Sequence, residues 1–159
     1  MTLPKLTPRQ FREEVMAAQQ TMIAGIKDGT LQDAEPLCKV VHHFTPRDPK
    51  FGCFTYAREA HAPKGTVVVG KLHKHAHINI ILQGRVSVVT ESGPVEYTAP
   101  CIFVSPAGTK RVLRVEEDVV WATIHTVSSD GEVNLPSIER ETIAESYDAL
   151  LKLGEPTPT

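Results

Sequence analysis

Seven histidines occur in the 159 residues, and four of them stand where imidazoles could meet. His73, His75 and His77 occupy alternate positions between Gly70 and Gly84. In an extended strand alternate residues point to one face, so the three rings would share a side. His125 lies in a second strand-like run, Val119 to Val127, where Trp121, Thr123 and His125 share one face. Neutral imidazole is the commonest side-chain metal ligand, and three or four converging rings suit zinc, iron, manganese or nickel. His73, His77 and His125 are the expected ligands of such a divalent transition metal, with His75 as a fourth. Without metal, the same side chains would be hydrogen-bonded interior histidines.

Other residues could complete a site. Asn79 and Gln83 follow His77 at even spacing and are expected to line the same pocket. Arg111 offers a planar fork suited to carboxylate or phosphate; an ion pair with Glu96, Glu116 or Asp118 is its plainer reading. Glu59 lies on a candidate strand as a carboxylate ligand or general base, or as ordinary surface charge. Tyr56 and Trp121 are candidate lining aromatics. His42 and His43 are adjacent and face opposite ways in a strand, and His61 sits beside Ala62-Pro63 in an expected loop; no function is assigned to them.

Two helices and a β-rich middle must position these groups. Thr7 as N-cap and Pro8 at the first helical position start a helix over about 7–28. Phe11, Val15, Ala18, Met22 and Ile26 recur at helical spacing, and Asp28-Gly29 ends the run. Glu13 and Glu14, near its start, read as a solvated face. From about 37 to 127 short β-rich runs alternate with Pro and Gly: Leu37 to Thr45, Cys53 to Glu59, Thr66 to Leu72, His77 to Gln83, Val86 to Glu91, Val95 to Thr98, Ile102 to Ser105, Arg111 to Val115 and Val119 to Val127. Their spacing predicts an antiparallel sandwich or barrel, with turns at Gln83-Gly84, Ser92-Gly93 and Pro106-Ala107-Gly108. A second helix is expected over about 137–152, ended by Gly154 ahead of a mobile tail at 155–159.

Composition narrows the function classes. Hydrophobic residues are 41% and charged residues 23% of a chain with a net charge of −2. These values are ordinary for one globular domain spanning 1–159 and give no reason to expect a nucleic-acid partner. Cys38, Cys53 and Cys101 are widely spaced, odd in number and without a C-x-x-C pair, which argues against a zinc ribbon or thioredoxin-like site and reads as buried reduced thiols. The start of the chain lacks the apolar stretch of a signal peptide, and no run approaches the roughly 20 apolar residues that span a bilayer. The expectation is a cytoplasmic protein without a membrane partner.

The stretch from about Lys64 to Val127 resembles a cupin, the small double-sheet jelly-roll barrel. The first cupin motif reads G-x5-H-x-H-x3,4-E-x6-G, and this chain has Gly70, His73-Lys74-His75, His77 and Gly84. His77 falls where the family's glutamate ligand would stand. The second motif, G-x5-P-x-G-x2-H-x3-N, is met at Pro106-Ala107-Gly108-Thr109-Lys110-Arg111, with Arg111 in place of the histidine ligand. The stretches Val69 to Lys74, Pro106 to Arg111 and Val120 to Thr126 are also similar to small cupin-like proteins of phages and prophages. The resemblance implies a mainly β fold, the double-stranded β-helix of a jelly-roll barrel, flanked by an N-terminal and a C-terminal α-helix. It leaves His125 as the natural substitute for the missing ligand.

Two functions follow as expectations. One is a metal-binding protein, up to a small-molecule metalloenzyme, whose three-histidine site leaves coordination positions open for oxygenase, hydrolase or isomerase chemistry. The other is a non-catalytic module that binds a ligand or a protein. A metal-free epimerase ranks last, because no aspartate stands near these histidines in sequence. A small, anionic ligand and a homodimer are expected in either of the first two cases.

Overall fold

The computed structural model describes residues 6–90, 93–128 and 133–153. Glu91, Ser92, Gly154 and the tail at 155–159, expected above as a strand end, a turn, a helix end and a mobile segment, lie outside them. Helix α1 runs Pro8–Asp28, with Thr7 and Gln10 forming a reciprocal capping box and Gly29 closing the helix at φ 81°. Phe11 and Val15 are its buried apolar side chains; further along the stripe, Ile26 is exposed. A single 3-10 turn, Glu35–Leu37, leads into the strands. These are β1 Lys39–Phe44, β2 Phe54–Ala62, β3 Val67–Val69, β4 Leu72–His73, β5 His77–Thr90, β6 Gly93–Thr98, β7 Cys101–Ser105 and β8 Val112–Val127.

The architecture is mainly β and antiparallel, with helices at both ends of the chain, as expected. Its centre is the pairing of the two longest strands, β5 and β8, along nearly their whole length. Their first common half, Ile78 to Ile81 against Trp121 to Ile124, is flanked by β7 on one side and β2 then β1 on the other. Their second half, Val86 to Val89 against Val112 to Val115, is flanked by β6 and β3. One seven-stranded sheet therefore consists of two strand sets sharing a spine, and it needs a bend where they meet.

The bend is a bulge, and it corrects two sequence expectations. The expected runs starting at His77 and Val86 fall in one strand, His77–Thr90, not two strands joined by a turn at Gln83-Gly84, and the runs starting at Arg111 and Val119 likewise share one, Val112–Val127. Register shifts lie between Ile81 and Val86. Before them His77, Asn79 and Ile81 are buried; after them Val86 and Val88 are. The inward face thus passes from odd to even positions, because a bulge changes residue parity without ending the ladder. Ile81, Val86, Val88, Val115 and Val119 close the core on the inner side of this bend.

A second core cluster, Phe54, Tyr56, Val127 and Ile138, fixes the C-terminal segment against the sheet. The single helix expected over 137–152 is two: α2 Leu135–Thr142 and α3 Tyr147–Leu153, separated by β9 Ile143–Ala144. Asn134 caps α2 by accepting from the Ser137 N–H. β9 pairs with β4, placing His73 opposite Ile143. The backbone groups freed at the end of α2 are thereby used in a ladder, which overrides the helical pattern.

Gly84 is where the bulge is most sensitive. Its φ is 82°, and a Cβ there would lie 2.2 Å from the Asp118 carbonyl oxygen of the spine. Gly65 shares the positive φ but faces open space. Gly84→Ala is therefore expected to lower the thermal midpoint by more than about 5 °C, and Gly65→Ala by clearly less, in parallel melts of the two variants.

Candidate functional site

Three strands bring three histidines together at one end of the barrel interior. His77 opens β5, His125 lies near the end of β8, and His73 ends the short β4. The ring centroids are 4.2 Å apart for His73 and His77, 4.8 Å for His77 and His125, and 5.4 Å for His73 and His125. The expected trio is thus one cluster. His73 is held by its backbone on both sides: its N–H donates to the Thr109 carbonyl and its carbonyl accepts from Gly108. The next residue, Lys74, donates its N–H to Thr142 and its ammonium to the Arg140 carbonyl, tying this loop to α2.

His75 is not part of the cluster. The stretch 73–77 is not one strand: the chain bends at Lys74 and His75, and the His75 side chain is exposed. Its carbonyl instead accepts a hydrogen bond from Nδ1 of His77, at 3.3 Å. That bond places the proton of the neutral ring on Nδ1 and leaves Nε2 of His77 with its lone pair.

Burial keeps the three rings neutral. It pushes His73 down to about 3, helped by the proximity of His77 and His125 and opposed by hydrogen bonding to the Thr109 and Lys71 backbone. It pushes His125 down to about 4, with His77 and His75 adding to the effect. His77 is lowered by burial and by the Arg111 charge, against the bond to His75. At neutral pH the cluster is a set of uncharged imidazoles with unprotonated ring nitrogens, a chemistry suited to binding a cation or accepting a proton.

Beneath the histidines lies a buried polar chain. The Asn79 amide donates to the Ser105 hydroxyl at 2.8 Å and accepts from the Trp121 indole N–H at 3.0 Å. Asn79 and Ser105 are fully enclosed, so these bonds fix the amide's orientation. Trp121 also meets Phe103 edge-on, and Phe103 stacks on Tyr97 at 4.0 Å. The Arg111 guanidinium lies over the Phe103 ring, 5.5 Å from its centroid. The surface pairs weighed for Arg111 do not form: Glu96 pairs with Arg85, and Asp118 accepts from the Lys64 N–H. Among the described residues no carboxylate stands in ion-pair contact with this half-buried cation.

The remaining candidates fall elsewhere. Gln83 is exposed within the bulge, where the even spacing from His77 no longer keeps one face. Glu59 has the parity opposite to Tyr56 and lies on the outer face of β2, where its carboxylate accepts from Nε2 of His43 at 2.9 Å and of His61 at 2.5 Å. His61 is in β2, which runs on to Ala62, and not in a loop. His42, assigned no function, is on the inner face and hydrogen-bonded through Nδ1 to the Tyr56 hydroxyl at 2.8 Å. The Tyr56 ring in turn lies 6.1 Å from His125. His42 and Ser105 could have been found from parity alone, had the β1–β2 and β5–β7 registers been known.

A metal held by three imidazole nitrogens at 2.0–2.1 Å wants ring centroids about 5 Å apart, close to the spacings here. The rings are tilted by only 11–35° from one another, however. As placed, no group of three His, Cys, Asp or Glu among the described residues is arranged to hold a metal ion. The donor chemistry fits a divalent transition metal; the stacked orientation requires the rings to turn before they could share one.

Two measurements check this account. The folded rings take up protons less readily than unfolded ones, so stability is complete above about pH 6.5 and declines as pH falls toward 4. Thermal midpoints should therefore drop across that window, with a shallower slope in His125→Gln. Asn79→Leu leaves the Trp121 N–H and Ser105 hydroxyl buried without their partner and should cost about 2 kcal/mol in denaturant unfolding, while Gln83→Leu, in the exposed bulge, should cost far less.

No protein-family model matches the sequence, and neither does any curated protein. Among solved structures the chain is similar to KdgF from Halomonas sp., at 21% identity over 62% of this chain and 86% of that one, with a TM-score of 0.47. It is similar to the EutQ protein of Clostridium difficile at 16% identity over 67% and 76%, with a TM-score of 0.45. It is also similar to a cupin superfamily protein from Desulfitobacterium hafniense, at 11% identity over 56% and 78%, with a TM-score of 0.42. In this chain itself, two strand sets on one antiparallel spine make a mainly β fold.

Proposed function

We propose that this chain is a metal-binding barrel for a small molecule, with His73, His77 and His125 as the ligands of one divalent transition metal. The observation that carries the reading is the meeting of three neutral imidazoles from three strands within 4.2–5.4 Å. Such a trio leaves coordination positions for a ligand or water, and the metal would act there as a Lewis acid. The chain's own residues do the rest. The His75 carbonyl holds Nδ1 of His77, the Asn79–Ser105–Trp121 chain keeps the floor rigid, and Arg111 supplies an uncompensated cation for an anionic ligand. On this reading the partners are a small anionic molecule and a second copy of the chain.

The second reading, a metal-free ligand-binding barrel, draws on the stacked rings and on Arg111. Its ligand would meet neutral imidazoles on one side and a guanidinium on the other. Neither reading names a reaction.

Elemental analysis of chain purified without chelator, followed by titration with Co2+, separates the two. About one equivalent of metal is expected, with visible absorption on cobalt loading and loss of both in His73→Ala/His77→Ala. Because burial holds His73 at about 3 and His125 at about 4 and lowers His77 as well, protons compete little and metal should stay bound down to about pH 5. No metal uptake from zinc, iron, manganese, nickel or cobalt would sink the metal reading and leave the metal-free one.

A further inference from the structure

A second guanidinium stands on the inner side of the sheet. Arg58 lies between Tyr56 and Ala60 on β2, with the parity of Tyr56 and opposite to that of Glu59. Strand register sets it in one row with His42, Thr123, Asn79 and Phe103. The adjoining row holds Tyr56, His125 and His77, so Arg58 is the diagonal neighbour of His125 across one strand pair. Phe103, at the far end of Arg58's row, carries the Arg111 guanidinium over its ring. The two arginines thus stand on either side of Asn79, beside the histidines.

Inward positions of a small barrel are normally filled by apolar side chains. Phe54 and Tyr56 obey that rule on β2, while Arg58 is exposed to solvent. Its charge falls on its neighbours: burial raises the Tyr56 hydroxyl and the Cys38 thiol, and Arg58 opposes the rise in both. The nearby carboxylates are engaged elsewhere. Glu59 turns outward to His43 and His61, and Glu139 pairs with Lys71. Among the described residues neither Arg58 nor Arg111 forms an ion pair.

We propose that Arg58 and Arg111 hold the two ends of one ligand, a short dicarboxylate whose middle lies against His73, His77 and His125. The inference rests on the anionic-ligand reading above, and adds to it a second anionic group and a length. Each planar fork suits a carboxylate, and the neutral imidazoles between them compete for neither end. Three strand spacings separate Arg58 from Phe103, about 14 Å along the sheet. With about 4 Å taken by each guanidinium–carboxylate pair, about 6 Å remains between the carboxyl carbons, a span of about five or six carbons.

Isothermal titration of the whole chain in chelator and low salt, with glutarate, adipate and the monoanion butyrate as probes, tests this. Glutarate or adipate should bind at least about 10-fold more tightly than butyrate and weaken as salt is added. Arg58→Gln, at an exposed position, should bring the dicarboxylates down to the butyrate level, with butyrate binding and the circular dichroism spectrum unchanged. Arg58→Lys should restore only part of the difference, because it keeps the charge without the fork. Dicarboxylates that bind no better than butyrate, or not at all, overturn the two-ended site. So does an Arg58→Gln variant that weakens both kinds of probe alike, or neither. Cobalt absorption at the histidines, followed in the same variant, reports the metal reading separately: it should survive Arg58→Gln, and its absence from the wild type would remove the metal without touching the pair of arginines.

Discussion

The structure depends on β5 and β8 remaining paired through a change of direction. Flanking strands attach to whichever half of this ladder lies beside them, and both the buried apolar cluster and the histidines hang from its inner side. The bulge makes this possible with one residue that has no side chain, Gly84, closely packed on the Asp118 carbonyl. A branched or even a methyl side chain there would oblige one strand to leave the other. The barrel's two ends differ because of that bend: Val86, Val88 and Val115 fill one, and imidazole, amide and hydroxyl groups occupy the other.

Desolvation dominates the polar end. Three imidazoles so close would repel as cations, and burial alone already favours their neutral forms; both effects act in the same direction. The cost appears when protons are abundant, and the gain is a set of nitrogen lone pairs available at ordinary pH. Arg111 belongs to the same balance. It lies over an aromatic face and lowers the proton affinity of His77, so this cation reinforces the neutrality of the cluster instead of competing for a counter-ion.

Much of this was legible in the sequence where it depended on local alternation. His77 and Asn79 share parity within one strand, and Trp121 and His125 within another, which is why these four could be named; His73 joins them from the separate strand β4, across a bend that alternation does not describe. The two helical caps, at Thr7 and around residue 28, were equally local. What escaped required knowledge of long-range register or of backbone irregularity. His75 left the face because the chain bends before it. Gln83 left it because a bulge has no sequence signature beyond a glycine that reads equally well as a turn. Glu59 stands three residues from Tyr56, so its opposite parity was on view; its contacts with His43 and His61 were not, since they depend on how β1 and β2 align. A two-residue strand such as β9 has no pattern to detect.

β9 has one more consequence. It pairs with β4 across about 70 positions of sequence, and Thr142 and Arg140 hold the loop that follows His73. The contacts that seat His73 are thus of high sequence separation, and the entropy of closing so long a loop must be met before they form. During synthesis, the spine and the two other histidines can be in place while His73 still lacks its outer support. That outer support is in place only after nearly the whole chain has emerged. A barrel shortened before residue 140 would therefore keep the ladder that defines its shape and lack the strand that secures the first of its three rings.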